Sequence, residues 1–134
     1  MNTVFIDTGA FFRAKRVLID LIEKGYKLAT SIIAIYDFYK IIDELIANEE
    51  NPAKRDLYLK LRRNFPKLLR ELEVEIIPFK IDADTIEEAC SLMEKENVDM
   101  SVALTYIFLH RFNITSVVSS NKNWKRLKVN LIEV

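Results

Sequence analysis

The stretch that decides the fold is TVFIDTGAF, residues 3–11. Residues 3–6 are β-branched, aromatic or aliphatic, as is typical of a short buried strand, and Asp7-Thr8-Gly9 interrupts this apolar run. Apolar residues then recur at helical spacing from about Phe11 to Lys24, and Gly25 occupies the position that commonly follows a helix end. The stretch therefore predicts a strand that ends at an aspartate and is followed by a helix.

The same alternation continues to the end of the chain. Further strands are predicted over 27–30, 74–79, 114–118 and 129–134. Helices are predicted from the N-cap Ser31 to about Ala47, from Asn51-Pro52 with a kink or break near Pro66, from Asp82 or Asp84 to Glu96, and from Asp99, with a turn or short helix over 121–126. Strands that alternate with helices indicate a parallel sheet covered by helices on both faces.

The helical spacing also predicts which apolar side chains face the core. Ile22 belongs to the inward face of the first helix, and Ile86 and Cys90 belong to that of the helix from 82 to 96. Trp124 is expected to anchor the last turn in the core, and His110 to lie near a helix end, where it helps to cap the helix.

Composition bounds the class of protein. The 134 residues fit one domain, residues 1–134, and 20 Lys+Arg balance 20 Asp+Glu, so the formal net charge is zero. This balance argues against a protein that holds nucleic acid by bulk charge alone. One cysteine and one histidine argue against a disulfide or a His/Cys metal site. The sequence shows no signal-peptide pattern and no apolar run long enough for a membrane span, so a cytoplasmic protein without a membrane partner is expected.

The positive charge is unevenly distributed. Residues 54–70 carry seven Lys or Arg against one Asp, and a second basic group follows the predicted fourth strand: Lys122, Lys125, Arg126 and Lys128. Such runs are often only solvated helix faces, but they could also follow the phosphates of a nucleic acid.

Acidic and amide side chains are placed where a parallel sheet forms its ligand site, at the carboxyl ends of its strands. Asp7 follows the first strand, Asp37 lies in the helix after the second, Asp99 starts a helix and Asn121 follows the fourth strand. Clustered carboxylates repel one another and stay ionised together when a cation lies among them. Oxygen ligands without His or Cys favour Mg²⁺ or Mn²⁺, which can activate water for attack on a phosphodiester.

Three passages resemble motifs of the PIN-domain ribonucleases, a family that includes toxins of many prokaryotic toxin–antitoxin modules. TVFIDTGAF (3–11) resembles the opening strand of the family, and TSIIAIYD (30–37) resembles its Ser/Thr pair before a helix that carries an acidic residue. NVDMSVA (97–103) and residues 113–124 resemble the third and fourth motifs. The resemblance implies a three-layer α/β/α sandwich with a central parallel sheet of about five strands, Mg²⁺- or Mn²⁺-dependent hydrolysis of single-stranded RNA and a homodimer. If the chain is the toxin of a toxin–antitoxin module, the resemblance also implies an antitoxin protein partner.

The resemblance also implies the residues of the site. Asp7, Asp37 and Asp99 would be catalytic metal ligands, with Asn121 at the fourth catalytic position, while Thr8 and Ser119 would orient the carboxylates. Asp37 stands where the family usually has Glu, so its side chain is one methylene shorter. Asn121 stands where the family usually has Asp, and its lack of charge predicts weaker metal binding and argues against a second metal. RNA contacts would come from five basic residues: Lys122, Lys125, Arg126, Arg62 and Arg63.

Other interpretations of the same residues stay open at this level. Asp7 and Asp99 could be only helix caps, Asp37 could pair with Lys40 on its own helix, and Asn121 could be a turn residue. Glu44 shares the helix face of Asp37 but lies two turns away, so it is left outside the expected site. For the whole chain, the alternative is a degenerate, non-catalytic PIN-like module that binds RNA or another protein.

Overall fold

The computed structural model describes residues 2–134, and its strands and helices alternate as the sequence predicts. The strands are β1 (Thr3–Ile6), β2 (Lys27–Ser31), β3 (Glu75–Ile77), β4 (Ser116–Ser119) and β5 (Asn130–Glu133). The helices are α1 (Ala10–Arg13), α2 (Lys15–Glu23), α3 (Ile32–Asn48), α4 (Pro52–Glu71), α5 (Ala83–Glu96) and α6 (Met100–Arg111), and a 3₁₀ helix spans Lys122–Arg126. Within residues 2–134, no helix is both long and apolar enough to cross a membrane.

The five strands form one parallel sheet in the order β3-β2-β1-β4-β5. The central strand β1 pairs with β2 through Val4 and Leu28, and with β4 through Val4 and Ser116. The chain builds one half of the sheet outward from β1 and then crosses to β4 for the other half. The carboxyl ends of β1 and β4 therefore flank the topological switch point, which is where open parallel sheets bind ligands.

Each face of the sheet covers its own apolar core, so the three-layer α/β/α sandwich is confirmed. Val4 and Ile6 point into one core, where Phe38 of α3 stacks on Phe65 of α4 at a ring-centroid distance of 3.9 Å. Phe5 points to the opposite face with residues of α5 and α6, as the alternation of side chains along a strand requires.

The helix expected from Phe11 to Lys24 is divided at Ala14 into α1 and α2. Leu18 and Leu21 make the buried face of α2, whereas Ile22 is 39% exposed, so its predicted burial is wrong. Gly25 follows α2 with φ of +91°, a conformation that other residues adopt only with strain.

Of the kink or break expected near Pro66, the break does not occur, because α4 runs from Pro52 to Glu71 through that residue. Proline removes the hydrogen bond to the carbonyl of Arg62, and its ring crowds that oxygen. Both residues are exposed, so the carbonyl can bond to water instead. The buried stacking of Phe65 on Phe38 holds the helix in place beside the proline.

In α5, the N-cap is Asp82 and not Asp84, and it forms a reciprocal capping box with Thr85. The helix buries Thr85 and Ala89, which lie one turn apart. Ile86 directly follows Thr85, and Cys90 directly follows Ala89. Because one residue turns the chain by about 100° around the helix, Ile86 and Cys90 point away from the buried face, and both are exposed. The predicted inward positions of Ile86 and Cys90 are therefore wrong.

Candidate functional site

A cleft of about 470 Å³ opens at the switch point between β1 and β4. Its walls come from the residues after β1, one face of α3, the start of α6 and the residues after β4. The lining contains four acidic side chains and one cation: Asp7, Asp37, Glu44, Asp99 and Lys40. Thr8, Gly9, Ile41, Ser101, Val102, Ser120 and Asn121 complete it. Sheet topology thus brings together the four predicted positions Asp7, Asp37, Asp99 and Asn121.

The Asp7 side chain is held by two hydrogen bonds, and both are accepted by the same carboxylate oxygen. Its backbone N–H donates to the carbonyl of Val118 at 3.0 Å, which extends the β1–β4 ladder by one residue. Its Oδ2 accepts from Ser119 Oγ at 2.7 Å and from Trp124 Nε1 at 3.0 Å, whereas Oδ1 accepts none from residues 2–134. The N-terminus of α1 is at Gly9 and has no side-chain cap, so Asp7 does not have the capping role considered above.

Asp37 lies on the face of α3 that forms one wall of the cleft. Residues 37, 40, 41 and 44 all line it, as expected for side chains spaced by three and four on one helix. Asp37 Oδ2 accepts from Ser101 Oγ at 2.9 Å. In the part of the chain that the structure describes, Asp37 and Lys40 form no ion pair, so Lys40 reaches the cleft as a cation without a carboxylate partner.

Asp99 is the N-cap of α6, and its Oδ1 accepts from the N–H of Val102 at 2.8 Å. Asn121 Nδ2 lies 3.4 Å from Asp99 Oδ2 and donates to it. Asn121 Oδ1 accepts from the backbone N–H and the Nδ2 of Asn123, at 3.0 and 2.8 Å. Because a backbone N–H can only donate, this contact orients the amide: its nitrogen, and not its oxygen, faces Asp99.

The two residues expected to orient carboxylates make different contacts. Ser119 Oγ donates to Asp7. Thr8 Oγ1 instead donates to the carbonyl of Ala34 at 3.2 Å, so it ties the end of β1 to the first turn of α3 and does not touch a carboxylate. Gly9 leaves room for the turn after β4, because a Cβ at this position would overlap Ser120 Oγ.

The five basic residues expected to contact RNA lie outside the cleft lining. Arg62 pairs with Asp43 at 2.8 Å, and Lys125 with Glu133 at 3.3 Å. Arg126 donates to the Asn97 carbonyl and to Asn123 Oδ1. Lys122 and Arg63 are exposed.

Lys40, Glu44, Ser101 and Trp124 also belong to the site, although sequence reasoning did not place them there. The spacing of positions 37, 40, 41 and 44 could have identified Lys40 and Glu44, because a helix presents them on one face. Ser101 and Trp124 carry no comparable signal, since they reach Asp37 and Asp7 across 64 and 117 residues of chain.

The geometry leaves the carboxylates near one another but not in direct chelating range. Among residues 2–134, no three His, Cys, Asp or Glu side chains are placed so that they could hold a metal ion together. Hydrogen-bond donors stand beside all three aspartates: Ser119 and Trp124 for Asp7, Ser101 for Asp37, and Val102 and Asn121 for Asp99.

Comparisons with known proteins give structural likeness only. No protein-family model matches the sequence, and no curated protein is significantly similar to it. PAE2754 from Pyrobaculum aerophilum is similar over 97% of this chain and 83% of its own, with 13% identity and a TM-score of 0.69. VapBC2 from Rickettsia felis, bound to a DNA fragment from its promoter, is similar over 98% of both chains (17% identity, TM-score 0.62).

A toxin–antitoxin complex from Klebsiella pneumoniae is similar over 98% of this chain and 99% of its own, with 11% identity and a TM-score of 0.54. At such identities the likeness shows a shared fold. It confirms the PIN-type fold that the sequence motifs implied.

Proposed function

We propose that this chain is a PIN-type endoribonuclease that hydrolyses phosphodiester bonds of single-stranded RNA with the help of Mg²⁺ or Mn²⁺. The observation that carries the proposal is the convergence of Asp7, Asp37 and Asp99 on one cleft at the switch point of the sheet. The fold shared with VapBC2 and with a toxin–antitoxin complex supports the same class of protein.

The chemistry of the cleft lining fits a hard cation. Its side-chain donors are oxygens, with neither His nor Cys among the lining residues. Mg²⁺ keeps several waters and takes only one or two carboxylates directly, so it does not require three side chains in direct contact with it. A bound Mg²⁺ or Mn²⁺ would supply an activated water and positive charge beside the scissile phosphate.

In this proposal each cleft residue has a separate task. Asp7 and Asp37 would hold the cation, because each carboxylate keeps an oxygen that is outside the hydrogen bonds described above. Asp99 already accepts from Val102 and Asn121, so it would act through a bound water. Lys40 would contact a phosphate oxygen of the RNA, which brings its own negative charge into the cleft.

The RNA outside the cleft would meet the surface cations. Lys122 and Arg63 are exposed. Arg62 and Lys125 are in exposed ion pairs, which are worth at most about 1 kcal/mol, so a phosphate can replace the carboxylate at little cost. These contacts would position the strand without reading its sequence.

Cleavage of single-stranded RNA in Mn²⁺ tests the proposal. We expect Asp7→Asn to lower the cleavage rate by roughly 100-fold or more, since it removes the charge that holds the cation. Asp56→Asn is the matched control, because Asp56 pairs with Lys60 on the surface of α4 outside the cleft. Equal rates for wild type and Asp7→Asn would contradict the assignment of Asp7.

A non-catalytic PIN-like module is the second candidate. The orientation of Asn121 favours it, because an amide N–H donor faces Asp99 where the family usually places a carboxylate. Calorimetric titration with Mn²⁺ separates the two candidates. Binding that is lost in Asp7→Ala supports the nuclease, and no binding at millimolar Mn²⁺ supports the module.

We further propose an antitoxin protein as a partner, on the basis of the toxin–antitoxin complex from Klebsiella pneumoniae that shares the fold. Co-expression with the product of a neighbouring gene, followed by purification of this chain alone, would show a stable complex if the proposal holds. The homodimer is a separate prediction, and light scattering of the purified protein would test it by measuring the molecular mass in solution.

A further inference from the structure

Trp124 is the only tryptophan of the chain, and it lies in the 3₁₀ helix that follows β4. Its side chain is fully buried, at 0% exposure, in the core shared with Phe5 and Val117. Its Nε1 donates to Asp7 Oδ2 at 3.0 Å, so the indole joins the core to the candidate site.

Core packing alone does not explain this side chain. A phenylalanine would fill most of the same space, but it has no N–H to donate. A buried indole N–H needs an acceptor, and here the acceptor is the carboxylate of Asp7, which gives a charge-assisted hydrogen bond. The partner is thus a residue of the cleft and not an arbitrary backbone carbonyl.

The second donor to Asp7 is Ser119, the last residue of β4, which shortly precedes the 3₁₀ helix. The backbone N–H of Asn121 donates to Ser119 Oγ at 2.9 Å, and Ser119 Oγ donates its own proton to Asp7 Oδ2 at 2.7 Å. Both Ser119 and Trp124 therefore act on Oδ2, and Oδ1 accepts no hydrogen bond from any residue that the structure describes. Two donors on one oxygen define the rotation of the carboxylate and leave the other oxygen for a ligand.

We propose that Trp124 is a positioning residue that holds the Asp7 carboxylate with Oδ1 available to the divalent cation. The inference rests on the proposed function, because it gives the indole N–H a task toward that cation. Groups that hydrogen-bond a metal ligand typically change metal affinity 10- to 100-fold when they are removed.

The test exchanges the indole N–H for sulfur. Because the chain has one tryptophan, expression in a tryptophan auxotroph fed with 3-benzothienylalanine changes position 124 alone while keeping the shape of the ring system. A second variant, Trp124→Phe, also removes the indole N–H. Thr85→Val is the control, since Thr85 is also buried and hydrogen-bonded but lies in the α5 cap, away from the cleft.

The first measurement is the indole N–H resonance without metal. We expect it to move upfield and to exchange faster with solvent in Asp7→Ala, but to stay in place in Thr85→Val. An unchanged indole resonance in folded Asp7→Ala would overturn the inference whether or not the protein cleaves RNA.

The second measurement is the calorimetric dissociation constant for Mn²⁺. We expect the benzothienyl protein and Trp124→Phe to bind Mn²⁺ about tenfold more weakly than wild type, and Thr85→Val to bind it like wild type. Unchanged affinity in the benzothienyl protein, with wild type binding, would overturn the inference alone. A wild-type protein that binds no Mn²⁺ would overturn the proposed function and, with it, the link from Trp124 to the cation.

Discussion

At the scale of single residues, the binding properties of the cleft depend on which side-chain atoms already form hydrogen bonds. Asp7 and Asp37 each accept through Oδ2, from Ser119 and Ser101. Asn121 Oδ1 accepts from Asn123, so its nitrogen points to Asp99. Lys40 adds a positive charge to a lining that is otherwise acidic. Asp7 and Asp37 are therefore suited to bind a cation, whereas Lys40 is suited to bind a phosphate.

Lys40→Ala should impair RNA binding more than the chemical step. A charge-assisted contact to phosphate is worth about 1.5–3 kcal/mol, so we expect KM to rise by roughly 10- to 100-fold with a smaller change in kcat. Steady-state cleavage kinetics measure both constants. Lys24→Ala, at the exposed end of α2, is the control, and an unchanged KM in Lys40→Ala would refute the phosphate contact.

The two glycines should respond differently to alanine. Gly9→Ala forces Ser120 to move, so we expect a lower kcat because Ser120 adjoins Asn121 in the cleft. Gly25→Ala has free space but a φ of +91°, so we expect a loss of about 1–2 kcal/mol in stability and a normal kcat in the folded enzyme. Thermal melts and cleavage rates of the two variants check the contrast, which fails if both lose only stability.

At the scale of elements, the helices begin at residues that the sequence marks clearly. The side chains of Ser31, Asn51, Asp82 and Asp99 each accept a backbone N–H of the following helix. Asp99 combines this role with a place in the cleft, so the start of α6 is tied to the candidate site. Asp82, in contrast, only caps α5.

Stability should fall at acid pH partly through Asp82. The backbone N–H and hydroxyl of Thr85 hold the pKa of the Asp82 carboxyl below its usual value, because both donate to the charged form. A lowered folded-state pKa means that the stabilisation is present above the unfolded pKa, near 4, and is lost as pH falls through the folded pKa.

Asp82→Asn keeps the shape of the cap but removes its charge. We expect wild type to have the higher Tm at pH 7, and the difference to vanish as the pH is lowered through the pKa of Asp82. Thermal melts from pH 7 to pH 2 measure it, with Asp84→Asn as the control in the same turn. A difference that does not depend on pH would contradict this explanation.

At the scale of the whole molecule, the net charge of zero is the sum of the charges on acidic and basic parts of the surface. The cleft is acidic apart from Lys40, whereas α4 and the 3₁₀ helix carry the basic groups, several of them already paired with carboxylates. Such a protein should bind RNA modestly, and its affinity should come from few phosphate contacts.

Binding of single-stranded RNA should therefore depend measurably on salt. Each phosphate contact contributes a slope of roughly −0.7 in log K against log salt, so we expect Lys122→Ala and Arg63→Ala each to make the slope shallower by about that amount. Fluorescence anisotropy of a labelled RNA from 50 to 300 mM salt measures the slope. Lys24→Ala should leave it unchanged, and a salt-independent affinity would exclude phosphate contacts as its source.

The sequence alone determined the alternation of strands and helices, the main helix N-caps and the oxygen chemistry of the expected site. These properties follow from local periodicity and from side-chain type, which act over a few residues. Errors arose where burial on one face of a helix had to be chosen, as at Ile22 and Cys90, because a one-residue step turns a side chain by about 100°.

The tertiary structure decided which polar side chains meet. The strand order places β4 beside β1, so Ser119 and Trp124 reach Asp7 from more than 110 residues away, and α6 brings Ser101 to Asp37. It also turned the Asn121 nitrogen toward Asp99 and paired Arg62 with Asp43. No local pattern encodes these contacts, because they depend on how the whole chain buries its two apolar cores on opposite faces of one sheet.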